Sequence, residues 1–211
     1  MEAIRAQAAA GHPVRIIGLK ARQIGFSTIT EAVMFLRCQT EPNRKALVSA
    51  HTDDSSEALF RMARIFEAEF PRALRQRTEY SSRKEITWAA PHRSSFMVQT
   101  AGRKALARSL TLHMFHASEV AFWSNPTESL TSALQSVPDS SDTMVILEST
   151  ANGMGGEFYE RWVTATDYRR RHPDALDGYT PLFFSWLNFP EYSMTVPEVG
   201  LGSLTSAEQA L

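Results

Sequence analysis

Cysteine is nearly absent from this chain. A single thiol, Cys38, stands among 211 residues, so no internal disulfide can form and a disulfide-stapled secreted scaffold is excluded. Cys38 lies in an apolar stretch and reads as a packing residue in a reducing cytoplasm. Long hydrophobic runs are missing too. No segment approaches the roughly 20 apolar residues of a membrane span, and the N-terminus has no basic stretch leading into an apolar one. Excess charge of one sign is also lacking. A formal net charge of −1 argues against a free-standing nucleic-acid binder that works through its global field. Local cations remain: Arg61, Arg64, Arg72, Arg75, Arg77, Arg83 and Lys84 outnumber Glu67, Glu69 and Glu79 in one stretch, most simply a solvated face. Arg169, Arg170 and Arg171 fall at the end of an expected helix, where they complement its dipole.

What is present is 43% hydrophobic content, enough for one α/β domain with a sizeable core. Val14, Ile16, Ile17 and Leu19 predict a buried strand, and Ile29 to Arg37 a buried helix. Lys45 to Ala50 reads as the next strand. Asp54 with Glu57 predicts a capping box, opening a helix whose face is Leu59, Met62, Ala63, Phe66 and Phe70 and which Pro71 stops. Glu85 to Ala89 and Ser95 to Thr100, around Pro91-His92-Arg93, predict a hairpin on the edge of the sheet. Thr111 to Glu119 and Met144 to Leu147 are further strands, with a helix from Pro126 to Pro138 between them. The order β-α-β-α-ββ-β-α-β-α predicts a mainly parallel sheet with helices on both faces and ligands at the carboxyl ends of its strands.

Three of these strands end in chemistry. The first runs into KARQIGFST, Lys20 to Thr28, a strand-loop-helix junction like a phosphate-binding loop, GxxxxGK[S/T]. Aligned on Gly25 and Ser27, Lys20 stands where the first glycine belongs and Phe26 where the lysine belongs. Candidate nucleotide-binding residues are therefore Lys20, Ala21, Arg22, Gln23, Ile24, Gly25, Phe26, Ser27 and Thr28, whose amides would face phosphate at a helix N-terminus. Phe26 carries no charge, so Lys20 or Arg22 must reach back across the loop. Ser27 is placed to offer its hydroxyl to Mg²⁺.

The strand TLHMFHASE ends in Ser118-Glu119 where a Walker B strand ends in Asp-Glu. Glu119 is the candidate that orients or deprotonates water, and Ser118 is a neutral candidate ligand for Mg²⁺, partly through water. The third strand leads into Glu148-Ser149-Thr150-Ala151-Asn152-Gly153, a polar tip that could sense the γ-phosphate, with Ser149, Thr150, Asn152 and Gly153 as the candidates. Other polar residues carry less. His113 and His116, three apart on a strand, face opposite ways and cannot share a metal. Asp53 and Asp54 fit a helix start, and Phe122 and Trp123 read as packing.

These residues resemble the ATPase domain of the phage terminase large subunit. The matching segments are KARQIGFST with its Arg22-Gln23 pair, HASEVAFW (His116 to Trp123), ESTANG followed by EFYERW (Glu157 to Trp162), and FFSWLNFPEY (Phe183 to Tyr192). The resemblance implies a P-loop NTPase of the additional-strand catalytic-glutamate type, with an ATPase domain over residues 1–180. Residues 181–211 would leave it toward a C-terminal nuclease domain, and no DNA cleavage is expected of this chain. ATP and Mg²⁺ are the implied cofactors, and Lys20, Arg22 and Glu119 the implied catalytic residues. Thr150 and Asn152 would couple γ-phosphate loss to movement, and Arg103 or Arg108 would act in trans as an arginine finger. The implied partners are double-stranded DNA, the portal protein and the small terminase subunit. The implied assembly is a homo-oligomeric ring on the procapsid, in the cytoplasm of the infected bacterial host, with no membrane.

The chain departs from the family pattern at Ser118, and Gln7 is poorly spaced for the glutamine that reads adenine. A helicase-like translocase and a non-hydrolysing assembly module remain as alternatives. Phe26 and Ser118 favour the module, whereas Glu119 and Arg22 oppose it.

Overall fold

The computed structural model describes residues 1–102 and 110–193. Arg103 and Arg108, the candidate arginine fingers, lie outside the described residues. The strands are β1 (Val14–Lys20), β2 (Lys45–Ala50), β3 (Thr78–Ser81), β4 (Glu85–Trp88), β5 (Ser95–Thr100), β6 (Met114–Ser118), β7 (Met144–Ser149) and β8 (Thr180–Phe184). The helices are α1 (Glu2–Ala9), α2 (Phe26–Thr40), α3 (Asp53–Glu69), α4 (Pro126–Leu134) and α5 (Gly156–Arg171). One sheet takes all eight strands in the order β3-β4-β5-β2-β6-β7-β1-β8. Every neighbouring pair from β5 to β8 is parallel, and β3 and β4 close one side antiparallel. β7 is inserted between β1 and β6, so the fold is the additional-strand α/β type expected from the sequence.

Alternation along each strand divides the core in two. Val14, Ile16, Val48, Met114 and Ile146 face α2 and α3, where they meet Met34, Phe35, Leu59 and Phe60. Ile17, Leu47, Phe115, Val145 and Leu147 face the other way, onto Leu130 and Ala133 of α4 and Phe158 and Ala165 of α5. Helices therefore cover both faces. Phe35 anchors the first layer, with the rings of Phe66, Phe70, Trp88 and Phe96 at centroid distances of 5.9, 6.0, 5.6 and 6.2 Å.

Three boundaries differ from expectation. β5 lies inside the sheet beside β2, and the edge belongs to β3, whose residues are all exposed and so carry no apolar pattern. α3 is capped by Thr52, whose hydroxyl accepts from the Ser55 N–H at 3.1 Å. A hydroxyl one residue before the helix satisfies that orphan donor, leaving Asp54 and Glu57 inside the helix rather than in a capping box. Pro181 to Phe184, assigned from the sequence to the segment leaving the domain, pair with β1 as the sheet's last strand.

Gly18 explains why Phe26 opens α2. A Cβ at Gly18 would lie 2.9 Å from Phe26 Cζ, because the tip of the ring reaches β1 there and meets Phe184 edge-on at 5.6 Å. Phe26 is thus a half-buried residue packed against the core, its ring tip seated on a glycine. Gly18→Ala is expected to destabilise the chain by about 1–3 kcal/mol through overpacking. Thermal unfolding checks this, and in a Phe26→Leu background the penalty should shrink.

Candidate nucleotide-binding site

The carboxyl ends of β1, β6 and β7 converge under the N-terminus of α2. Registry sets the arrangement: Gly18 pairs with Glu148 across β1 and β7, and Glu148 with Ser118 across β7 and β6. Period-two alternation then puts Lys20, Glu148, Ser118 and His116 on the α2 side of the sheet.

Lys20 is the hub. Its ammonium lies 2.8 Å from Glu119 Oε1 and 3.1 Å from Glu148 Oε2, and its side chain is 7% exposed. Burial alone would lower its pKa, but the two carboxylates outweigh burial and raise it. The cation therefore stays charged at the end of β1, beside the loop that lacks a lysine at position 26.

Glu119 follows β6 in a left-handed backbone conformation, φ 54°. This region is sparsely populated by residues other than glycine and recurs at functional sites. Its Oε2 accepts from the Thr150 N–H at 3.0 Å, the Thr150 hydroxyl at 3.1 Å and, more weakly, the Ser149 hydroxyl at 3.4 Å. Ser149 Oγ also accepts from the Ala121 N–H, and Asn152 donates to the Ala121 carbonyl. Three of the four candidate coupling residues are thus wired to Glu119 or to the turn after it. Gly153 makes the chain's exit with φ 79°.

The loop brings Arg22 and Gln23 to a cleft of about 280 Å³ that they line with His51, Glu119, Phe122 and Thr150. Gln23 (φ 55°) and Gly25 (φ 75°) supply the left-handed turns before α2. Ala21 N–H bonds the Phe184 carbonyl, so the loop's first amide serves the sheet. Thr28 donates to Met62 Sδ at 3.3 Å, away from the cleft. Phe122 and Trp123, both expected to pack, divide: Trp123 is buried with its indole N–H on the Ser118 carbonyl, whereas Phe122 lines the cleft and approaches His51 at 6.2 Å.

Two further acids belong to the site: Glu148, read from the sequence only as the first residue of the γ-phosphate-sensing tip, and Glu31, which the sequence reading did not single out. Glu148 is wholly buried and accepts from the Ser27 hydroxyl at 2.8 Å, with His116 Nε2 3.4 Å from the same oxygen. Burial would push its carboxyl up, but His116, Lys20 and Ser118 outweigh it and hold the pKa at about 2. Glu31, one helical turn after Ser27, is wholly buried, and neither carboxyl oxygen has a hydrogen-bond partner. Burial first, then the charge of Glu148, pushes it well above the ordinary carboxylate range. A raised folded-state pKa means that stability is present below the unfolded value and is lost as pH rises toward the folded one. Glu31→Gln is therefore expected to be more stable than the parent at neutral pH. The gain should grow as pH rises above about 4.3, the unfolded value for glutamate, and melting curves across pH would show it.

Other singled-out residues have plainer roles. Gln7 is buried, its amide donating to the carbonyls of Leu176 and Gly178 and accepting from Arg15 N–H, which pins α1 to the segment before β8. Cys38 is buried and its thiol pKa is pushed up by burial. Arg75 donates to the Ala68 and Phe70 carbonyls at the end of α3. Among the described residues no group of three or more His, Cys, Asp or Glu is arranged to hold a metal, and no helix is long and apolar enough to cross a membrane.

This architecture recurs in solved structures. The large terminase of a thermophilic bacteriophage matches 99% of the chain with a TM-score of 0.62 at 10% identity, across 48% of its own length. The large terminase ATPase domain of Thermus phage P74-26 matches 84% of the chain, TM-score 0.57, 20% identity, over 78% of that domain. The HK97 bacteriophage large terminase matches 86% of the chain, TM-score 0.64, 14% identity, over 38% of its length. The chain has the fold of phage large-terminase ATPase domains. It spans about half the length of the first of these, the thermophilic bacteriophage's terminase, a protein also solved in complex with ADP. No protein-family model matches the sequence, and neither does any curated protein.

Proposed function

We propose that the chain is the ATP-hydrolysing motor domain of a phage terminase large subunit, which drives double-stranded DNA into the procapsid. One observation carries the reading. A buried ammonium, Lys20, is clamped between two carboxylates at the open end of the sheet, beside a glycine loop whose own lysine position is filled by a phenylalanine packed against the core. The chemistry of the residues present fits a magnesium nucleotide: a cation, a helix N-terminus, a serine hydroxyl, and a buried carboxylate oxygen, Glu148 Oε2, that accepts no hydrogen bond of good geometry.

In this reading bound Mg²⁺ would neutralise phosphate charge and orient the γ-phosphoryl group for attack by water. Lys20 and the amides from Arg22 to Thr28 hold the β and γ phosphates. Arg22 offers a charge to the γ-phosphate from the cleft wall. Ser27, with help from Ser118, holds the metal, and Glu119 orients water and takes its proton. Loss of the γ-phosphate is felt at Thr150 and passed through Ser149 and Asn152 to the turn that carries Phe122. Portal protein, small terminase subunit, a homo-oligomeric ring and host cytoplasm belong to the same proposal, on fold likeness alone.

The neutral Ser118 favours a second reading, a nucleotide-binding module that does not hydrolyse. ADP and ATP titrations with and without Mg²⁺, followed by phosphate release with DNA present, separate the two. Turnover that DNA stimulates supports the motor, whereas binding without turnover selects the module. Absence of any nucleotide binding removes both.

A further inference from the structure

We propose that Glu148, at the end of β7, supplies the metal-anchoring carboxylate that position 118 lacks, acting with the Ser27 hydroxyl on the nucleotide's divalent cation. The inference rests on the nucleotide-binding reading above and reassigns one of its parts to a strand that the motif pattern does not point to.

Registry is the first argument. Ser118 and Glu148 are direct partners across β6 and β7, so their side chains leave the same face about 4.8 Å apart. Moving a carboxylate from one to the other shifts it by one strand and keeps it under α2. Acids at both positions would crowd two like charges into one buried pocket, so a neutral residue at 118 follows from an acid at 148.

The second argument is what Glu148 touches. It already holds the Ser27 hydroxyl at 2.8 Å, the group that a phosphate-binding loop aims at its metal. Its other oxygen, Oε2, is fully buried and faces the Lys20 ammonium at 3.1 Å without a well-formed hydrogen bond.

Elimination is the third argument. Both Glu119 oxygens accept hydrogen bonds, Oε1 from Lys20 and Oε2 from Thr150 and Ser149, whereas Glu148 Oε2, though 3.1 Å from Lys20, accepts no well-formed one. Glu31 is wholly buried with neither carboxyl oxygen hydrogen-bonded, and burial raises its pKa, which makes it the weaker ligand for a hard cation. Mg²⁺ needs only one or two carboxylates and keeps several waters beside the substrate phosphates. A site with a single ionised acid and a hydroxyl therefore suffices, in keeping with the lack of any three-acid cluster among the described residues.

The test measures metal binding directly. Mn²⁺ titrated into the 211-residue chain with ADP, and followed by electron paramagnetic resonance, reports the metal's affinity for the protein–ADP complex. Glu148→Gln keeps the size of the side chain and an acceptor for Ser27. It is expected to weaken Mn²⁺ by about 10- to 100-fold while leaving metal-free ADP affinity within about threefold. Adding Ser118→Asp to that variant returns a carboxylate one strand away and should recover most of the loss. Glu148→Gln that melts like the parent and binds Mn²⁺ as tightly would overturn the assignment and leave the nucleotide reading intact. So would a folded double variant no tighter than the single. If Glu148→Gln fails to fold, Glu148→Asp, which withdraws the carboxylate by one methylene, takes its place, and Mn²⁺ bound as tightly as by the parent overturns the assignment. A parent chain that binds no ADP, with or without metal, overturns the nucleotide reading and this inference together.

Discussion

Glu119→Gln is expected to lower ATP turnover at least about 100-fold, the usual contribution of a positioned general base. Nucleotide affinity should change little by comparison. The argument is geometric. Glu119 sits one residue past β6 in a left-handed conformation, its carboxylate is oriented from both sides by Lys20 and Thr150, and it lines the cleft opposite Arg22 and His51. Glutamine tolerates the same backbone about as well and keeps the side chain's length, but an amide cannot take up a proton. Its NH₂ must also face a donor, either the ammonium of Lys20 or the N–H of Thr150, which costs a hydrogen bond and blurs the fixed orientation. Both effects act on the chemical step more than on phosphate binding. Steady-state phosphate release with a parallel ADP titration separates them. Unchanged turnover would remove the glutamate from its role.

The fold was legible where burial wrote a pattern into the chain. β1, β2, β6 and β7 are central strands covered on both faces, and such strands read as short apolar runs. α3 showed its face at helical spacing. The elements that went unseen lack that imprint. α1 is short and alanine-rich, and buries only Gln7. β3 is exposed at every residue. β8 opens on Thr180-Pro181, and a proline marks an edge strand only once its neighbour is known. The capping box was misread because Thr52, Asp53 and Asp54 all suit a helix start, and only the hydrogen bond to Ser55 chooses among them.

The site divides along a similar line. Lys20, Ser27, Glu119 and Thr150 were singled out because each ends a strand or opens a helix in a motif with a known spacing, and the structure brings them together. Their convergence agrees with those motifs. Glu148 was read as part of the γ-phosphate-sensing tip and not as a carboxylate beside Ser118, although MVILE carries the same signal as the strand before it, an apolar run closed by an acid. What hid it was registry: that Glu148 lies beside Ser118 is a fact of strand pairing, absent from either segment alone. Glu31 was hidden inside an apolar helix, where its spacing of four from Ser27 was the available sign. His51, which directly follows the apolar run of β2, gave the same end-of-strand cue as the others. Phe26 was read as unable to supply charge to phosphate, and what its ring packs against needed Gly18, eight residues back in the chain.

The largest change in stability is expected from Lys20→Met. Removing the ammonium leaves Glu148, wholly buried, and Glu119, 22% exposed at its side chain, facing each other with no cation between them. Breaking a buried pair from one side costs about 3–5 kcal/mol, because a charge remains without compensation. For a chain of this size that lowers the melting temperature by on the order of 10 °C. The same variant should lose nucleotide binding, since Phe26 packs against the core and no lysine replaces the missing charge. These two losses have different causes, and a second substitution separates them. Lys20→Met combined with Glu148→Gln removes the stranded charge and should recover about 1–3 kcal/mol of stability as a coupling between contacting residues. Nucleotide affinity should stay as low as in the single variant, because the phosphates still meet no ammonium. Calorimetric unfolding and ADP titration on the parent, both single variants and the double complete the cycle. If Lys20→Met melts with the parent, the clamp contributes no stability. If it binds nucleotide as the parent does, the cation at the end of β1 is not the one that phosphate meets.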